Sequence, residues 1–359
     1  MDNSPNERQL EMPFLRNIGL LMTYKCQVMC PHCIIEAGPH RTEQTSLTDA
    51  LEWIRQLAEY RNGYIKVLSL TGGEPFYNLD HLKDISSFAQ QCGLIVSAVT
   101  NAFWASTPAK AVNLLQQLSA IKMLSISCDV YHQRNIPFER VENAILAAKE
   151  CQIPYTVAVC TDNYEDSEYQ LLLERLAAIT RPDAILTAIT FPAGRALKSA
   201  DLLKYQTTDT PPISACAAGS SPIIFPDGRV IACIGPVIDL ASSHPLVLGN
   251  LRNEPLSTIL DRAQLNPILH AIRLWGPKKL ISMAEEAGLG PYLPQTYIEG
   301  SVCHACYGLM ASEKLVEFLN QLAKDSEFQR KVAYGRLYYL EESEMLQLMG
   351  FKALETAVN

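Results

Sequence analysis

A parallel α/β fold is the architecture this sequence predicts, and three observations carry the prediction. Six short apolar runs recur along its first half, amphipathic stretches with helical spacing separate them, and capping signals mark where those stretches start and stop. Strands that alternate with helices are joined by crossovers rather than hairpins, so they run parallel in one sheet. At 359 residues, 48% of them hydrophobic, the chain is long enough for one large domain and a smaller one.

The predicted strands are Ile18–Met22, Ile65–Leu70, Leu94–Val99, Ile121–Ser127, Ile153–Val159 and Ala184–Thr190. The first helix begins at Ser46–Asp49, a capping-box-like start, and lays Leu51, Ile54, Leu57 and Ala58 on one face. Cys92 and Gly93 end the next with a glycine C-cap. Thr107 and Pro108 open the third as an N-cap followed by a proline in the first turn. The fourth, from near Pro137, offers Val141, Ile145 and Ala148 to a core. In such folds the chemistry collects in the loops leaving the C-terminal strand ends.

Composition narrows the class. A formal net charge of −8 argues against nucleic acid or an acidic membrane as the main partner. No apolar run reaches the ~20 residues a membrane helix needs. The polar start, Met1 to Arg8, lacks the apolar core of a secretory signal. Eleven cysteines in such a chain point to a reducing cytoplasm, where thiols serve metals rather than disulfides.

Cys26, Cys30 and Cys33 follow the first strand directly. Three thiolates this close can cap three corners of a [4Fe–4S] cube and leave one iron open, although buried thiols or half a zinc site are the competing readings. Their C-x3-C-x2-C spacing resembles that of the radical S-adenosylmethionine (SAM) superfamily. The resemblance implies a partial (β/α)6 barrel and an open iron that chelates the amino and carboxylate groups of SAM. The cluster then donates the electron that cleaves it.

Further positions resemble SAM-site elements of that family. Gly72, Gly73 and Glu74 follow the second strand, and the resemblance implies contact of this turn with the methionyl amino group. Asn101 after the third strand, and Ser127 with Asp129 after the fourth, suit a ribose or the SAM carboxylate, or serve simply as turn formers. Arg195, in the turn Phe191–Ala196 after the sixth strand, lies where relatives run beside the adenine and could neutralise cofactor carboxylate charge. His32 occupies the position of a ring against adenine, with simple packing as the alternative.

In the second half, Cys216, Cys233, the Gly249–Leu251 turn, Cys303 and Cys306 together resemble the SPASM auxiliary-cluster domain or its shorter form, twitch. Pro222–Ala232 reads as a hairpin turning at Asp227 and Gly228, which would bring Cys216 and Cys233 together. Ser312 stands where a full SPASM pattern continues with cysteines, and none follows Cys306. The quartet therefore suits one auxiliary [4Fe–4S] cluster. Four thiolates also suit zinc, against which stand the sixteen residues between the first pair and the SAM-type triad upstream.

The division expected is a tail at 1–13, a barrel at 14–200, a twitch-like domain at 201–310 and C-terminal helices at 311–359. Cys92 and Cys151 read as core, whereas Cys128 and Cys160, at strand ends facing the presumed cavity, are candidate hydrogen donors. Asp129 and Glu74 are available to take up a proton. A stripe of Tyr334, Leu337, Tyr338 and Leu340 reads as core packing, and Pro277–Pro294 as a loop at the substrate entrance.

The resemblance implies an enzyme that abstracts a substrate hydrogen with a 5′-deoxyadenosyl radical and needs an electron donor such as flavodoxin or ferredoxin. A net oxidation or crosslink of a ribosomally made peptide is the expected outcome. Dehydrogenation of a sugar or cofactor precursor, peptide epimerisation and a non-catalytic metal scaffold are the alternatives. About sixteen residues precede the first strand, few for a separate peptide-recognition domain.

Overall fold

The computed structural model describes residues 14–199, 202–240, 244–310, 312–342 and 345. The expected tail at 1–13 and most of the chain after 342 lie outside them. Six strands form where the apolar runs predict: β1 (Asn17–Thr23), β2 (Val67–Gly72), β3 (Ile95–Thr100), β4 (Ile121–Ser127), β5 (Tyr155–Thr161) and β6 (Ile185–Ile189). They pair in sequence order and all in parallel.

The intervening helices are α1 (Leu47–Glu59), α2 (Leu79–Gln91), α3 (Pro108–Gln117), the single turn α4 (Val130–Gln133), α5 (Phe138–Glu150) and α6 (Ser167–Ile179). Ser46, Asn78, Thr107, Asp129 and Asp166 cap α1, α2, α3, α4 and α6 through side-chain bonds to free backbone N–H groups. Right-handed crossovers between neighbouring parallel strands put these helices on one face of the sheet.

Strand periodicity then sorts the side chains. Leu68, Leu70, Val96, Ala98, Leu124, Ile126, Val157 and Val159 are buried under the helices. The other, open face carries small residues, among them Ser69, Ser97, Ser125, Ser127, Ala158 and Cys160. A closed barrel fills its interior with branched side chains. Here the lining stays shallow and polar, with Ser69 Oγ bonded to Asn17 Oδ1 at 2.9 Å and to Ser97 Oγ at 2.8 Å.

The chain continues through the turn α7 (Arg195–Lys198) and β7 (Thr207–Thr208) to the expected hairpin, β8 (Ile223–Ile224) and β9 (Arg229–Ile231), then β10 (Val247–Asn250). β8 pairs in parallel with β1, so the hairpin extends the sheet to nine strands, with β10 and β6 at its edges and no closure between them among the described residues. The rest is α8 (Leu256–Gln264), α9 (Pro267–Glu286), β11 (Tyr297–Ile298) paired with β7, α10 (Val302–Met310), α11 (Glu313–Leu322) and α12 (Ser326–Tyr339). No described helix is long and apolar enough to cross a membrane.

Two expectations are corrected here. The first part of the supposed loop at Pro277–Pro294 is helical: α9 runs through it in two arms joined at Gly276, whose φ is 71°, and Pro277 opens the second arm. The tyrosine stripe of α12 faces solvent, with Tyr334 50% and Tyr338 70% exposed and their rings stacked at 6.1 Å. The helix turns Phe328, Val332 and Gly335 inward instead, because at Gly335 a β-carbon would stand 2.8 Å from Leu274 of α9.

Beneath this contact lies a buried ionic network. Glu342 accepts from Arg273 at 2.6 Å and from Arg336 at 2.6 Å. Arg273 also reaches Ser220 Oγ and His270 Nδ1, both at 2.9 Å, and Arg336 reaches Gln264. Burial raises the Glu342 carboxyl, but the two guanidinium groups outweigh it and hold it below the ordinary value. Its stabilisation is therefore present above the unfolded value of ~4.3 and is lost as pH falls through the lower folded value. Glu342→Gln should lower stability by about 3–5 kcal/mol, by leaving two buried arginines without their counter-charge. Denaturant unfolding at neutral pH measures this, and the gap between variant and parent should narrow in acid.

Candidate active site at the C-terminal strand ends

The loop after β1 is held from three sides. Its own turns bond Cys33 N to Cys30 O at 3.2 Å and Cys26 N to Gly38 O at 3.2 Å. From β2, Gly73 N donates to Thr23 O at 2.6 Å and Glu74 N to Lys25 O at 2.9 Å. A β-carbon at Gly72 would stand 2.4 Å from the Thr23 carbonyl oxygen, and one at Gly73 2.3 Å from that of Lys25. The glycine pair lets two backbones touch, one of them the cysteine loop.

The third side is the turn after β6. Gly194, at φ 55°, meets the Ile34 carbonyl, and Arg195 N donates to Cys33 O at 3.1 Å. The Arg195 guanidinium donates to Cys30 O at 2.8 Å and to Ala37 O. It is thus engaged with the carbonyls around the triad, where the sequence alone suggested a cofactor carboxylate.

Glu74 is fully buried and both its oxygens are in use: Phe76 N and Thr100 Oγ1 donate to one, at 3.0 and 2.9 Å, and Asn101 N to the other, at 2.8 Å. Burial pushes it up to about 7 against those bonds. The carboxyl ties the β2 turn to the end of β3, and this engagement speaks against a role as an open proton acceptor. Asn101 completes the tie, accepting from Gln27 Nε2 at 2.8 Å and donating to Cys26 Sγ at 3.7 Å.

Asp129, buried at the end of β4, accepts at one oxygen from Tyr131 N and His132 N, at 3.1 and 2.9 Å. Its other oxygen lies 2.8 Å from His132 Nδ1 and 3.6 Å from His32 Nε2. Burial raises this carboxyl, but His132, His32 and the hydrogen bonds prevail and hold it at about 2. An acid this strong is a poor base at neutral pH. The ring of His32 packs on Tyr131 at 4.6 Å between centroids, and its buried Nδ1 has no partner among the described residues.

Ser127 is half-buried on the open face, level with Ala158 and Leu186. Cys160 stands further along β5, opposite Ala188, and burial pushes its thiol up to about 12, with Asp129 and Cys303 adding to the rise. Cys128 does not join them. It is fully buried on the side of Leu124 and Ile126, where Arg175 of α6 acts on it, because successive strand residues face opposite ways. The expectation that it faces the cavity is overturned.

A second cluster of thiols gathers Cys216, Cys233, Cys303 and Cys306 around one cavity walled by Leu246, Leu269, Ile272 and Val302. Burial raises Cys303 to about 12 and lifts Cys233 and Cys306 as well, each thiol worsening the others. Among the described residues, no three cysteine sulfurs lie within 4.8 Å of one another.

His132 and Gln27 escaped the sequence reading. A signal existed for the first: Asp129 as an N-cap with histidine three residues on puts that imidazole over the carboxylate. Gln27, between two cysteines, had none.

Residues 20–176, spanning β1 to α6, match the family described as the Radical SAM superfamily. YydG of Bacillus subtilis (strain 168), whose name proposes a part in peptide biosynthesis, is 19% identical over 308 residues, 84% of this chain and 94% of its own. Among solved structures, BtrN in complex with AdoMet and 2-DOIA is 12% identical, with 70% of this chain and 86% of that chain covered at a TM-score of 0.37. HydG, a maturase of the [FeFe]-hydrogenase, is 13% identical, with 92% and 84% covered at a TM-score of 0.38.

The radical SAM match implies a [4Fe–4S] cluster and SAM, and the residues present fit them. Three thiols sit in one braced loop, enough to hold three irons of a cluster and leave the fourth open. The unpartnered His32 Nδ1 beside them is a buried polar atom awaiting a ligand. Gly73→Ala should therefore displace the loop through Lys25, at about 1–3 kcal/mol of overpacking. Iron bound after anaerobic reconstitution should fall while far-ultraviolet circular dichroism stays unchanged; full iron content would show that the loop tolerates the methyl group.

Proposed function

We propose that this protein is a radical SAM enzyme that abstracts a hydrogen atom from a ribosomally synthesised peptide and completes a net oxidation or crosslink. The observation that carries the reading is the braced triad of Cys26, Cys30 and Cys33 beside an open sheet face lined by small side chains. With the cluster and SAM bound, the group supplies one-electron cleavage of SAM to a 5′-deoxyadenosyl radical. The chain's own part is to hold the ligand loop through Gly73, Glu74 and Arg195 and to give the substrate room beside Ser127 and Cys160. His32, Asn101 and Ser127 are the side chains we assign to SAM. The resemblance to YydG supports a peptide substrate, and an electron donor such as flavodoxin or ferredoxin is required.

We assign the quartet to one auxiliary [4Fe–4S] cluster within a twitch-like segment at 201–310, between a barrel at 14–200 and C-terminal helices. The gathering of four thiols in one apolar cavity supports a metal. Such a cluster suits acceptance of the second electron of an oxidation.

The second reading is peptide epimerisation, favoured by Cys160, whose thiol sits near Asp129 on the open face and is raised by burial, so it keeps its hydrogen. Iron and zinc contents of the reconstituted protein test the two sites together. About eight irons should fall to about four when Cys26, Cys30 and Cys33 become alanine. Four irons falling to none, with one zinc retained, would remove the auxiliary cluster. Incubation with candidate peptides from neighbouring reading frames should produce 5′-deoxyadenosine and a loss of about two mass units. Unchanged mass with inverted stereochemistry, abolished by Cys160→Ala while 5′-deoxyadenosine persists, would establish epimerisation instead.

A further inference from the structure

One cluster of metal-ligating side chains contains no cysteine. His32 comes from the β1 loop, and Asp129 and His132 from the turn after β4. Each offers one ligand atom, and the three atoms lie within 4.8 Å of one another. The central one is Asp129 Oδ2, 2.8 Å from His132 Nδ1 and 3.6 Å from His32 Nε2. The first distance is a hydrogen bond, and the second is too long for one. Only 12% of the His32 side chain is exposed, yet neither of its nitrogens makes a hydrogen bond among the described residues. A buried ring that bonds nothing calls for a ligand.

We propose that His32 Nε2, Asp129 Oδ2 and His132 Nδ1 form a binding site for a divalent transition ion of the zinc type. Ligand atoms ~2.1 Å from a common ion stand about 3.0 Å apart at right angles and about 3.4 Å apart at the tetrahedral angle. The observed 2.8 and 3.6 Å bracket that spacing. Two imidazoles and one carboxylate favour zinc or iron(II) over magnesium and calcium, which take oxygen ligands. The surroundings already orient the donors. Tyr131 N and His132 N hold Asp129 Oδ1, at 3.1 and 2.9 Å, and so turn Oδ2 toward the rings. His32 packs on Tyr131 at 4.6 Å, and the two imidazoles meet at 74°. Coordination replaces the hydrogen bond between Asp129 and His132. The ion takes Nε2 of His32 and leaves that ring's face and its Nδ1 to SAM. Three protein ligands also leave a position for water or an oxygen of a bound molecule, as at catalytic rather than structural zinc sites. The site needs iron at neither the triad nor the quartet.

The test is the zinc and iron content of the anaerobically reconstituted full-length protein after dialysis against zinc, with zinc-edge X-ray absorption on the same samples. The variants are His32→Phe, which keeps a ring against Tyr131, and His132→Asn, with far-ultraviolet circular dichroism to check the fold. The parent should hold one zinc more than either variant at equal iron content. That zinc should show nitrogen and oxygen neighbours and no sulfur. Equal zinc in parent and variants overturns the proposal. Zinc held in the parent by sulfur alone, or not at all, overturns it without need of the variants. Loss of iron together with zinc from both folded variants also overturns it, because the histidines would then serve the cysteine loop. A parent that binds this zinc but no iron at Cys26, Cys30 and Cys33 would defeat the reading of the triad and leave the ion site standing.

Discussion

The site depends on backbone-to-backbone contact between the cysteine loop and two other strand-end turns. A loop carrying three ligands in a short span has no regular hydrogen-bond pattern of its own, and isolated it would sample many arrangements. Gly73 and Glu74 bond its entry, Arg195 bonds its middle, and Gly194 lets the β6 turn lie against it. These turns belong to strands that are far apart in sequence but emerge at the same end of one parallel sheet. The requirement for order at three thiols therefore becomes a requirement on the whole six-strand framework.

Polarity around this loop is arranged in closed sets. Glu74 is saturated by three donors, and Asp129 by two backbone groups and a histidine. Buried carboxylates cost free energy unless their lone pairs are filled, so the filled ones act as ties and leave the open face to smaller groups. Chemistry by acid–base exchange is poorly served by such carboxylates. Chemistry that starts from electron transfer does not need them free.

Much of the framework was legible because it rests on short-range rules. Each of the six strands appears within a few residues of its apolar run, and Ser46 and Thr107 cap the helices they announced. The spacing of Asp227 and Gly228 specified the β8–β9 turn. What was illegible depends on partners distant in sequence. Arg195 looked like a ligand for a cofactor because nothing in its local sequence points to the carbonyls of Cys30 and Ala37. Cys128 and Cys160 looked alike as strand-end thiols; only the register of each strand, set by the sheet, sends one under α6 and the other to the open face. The α12 tyrosines looked like a core stripe, yet Gly335 offered α9 a closer approach on the other side.

The pairing of β8 with β1 has a consequence for how the chain is made. Gly19 must wait for Ile223, so the β1 edge is left without its neighbour while about 200 further residues are synthesised. At 5–20 residues per second that is roughly 10–40 s during which an apolar strand edge hangs open on the ribosome. Contacts this distant slow folding, and bare edges invite pairing with other chains. Production of this protein is accordingly a problem of timing: cooler growth and abundant chaperone protect the nascent edge until its partner emerges.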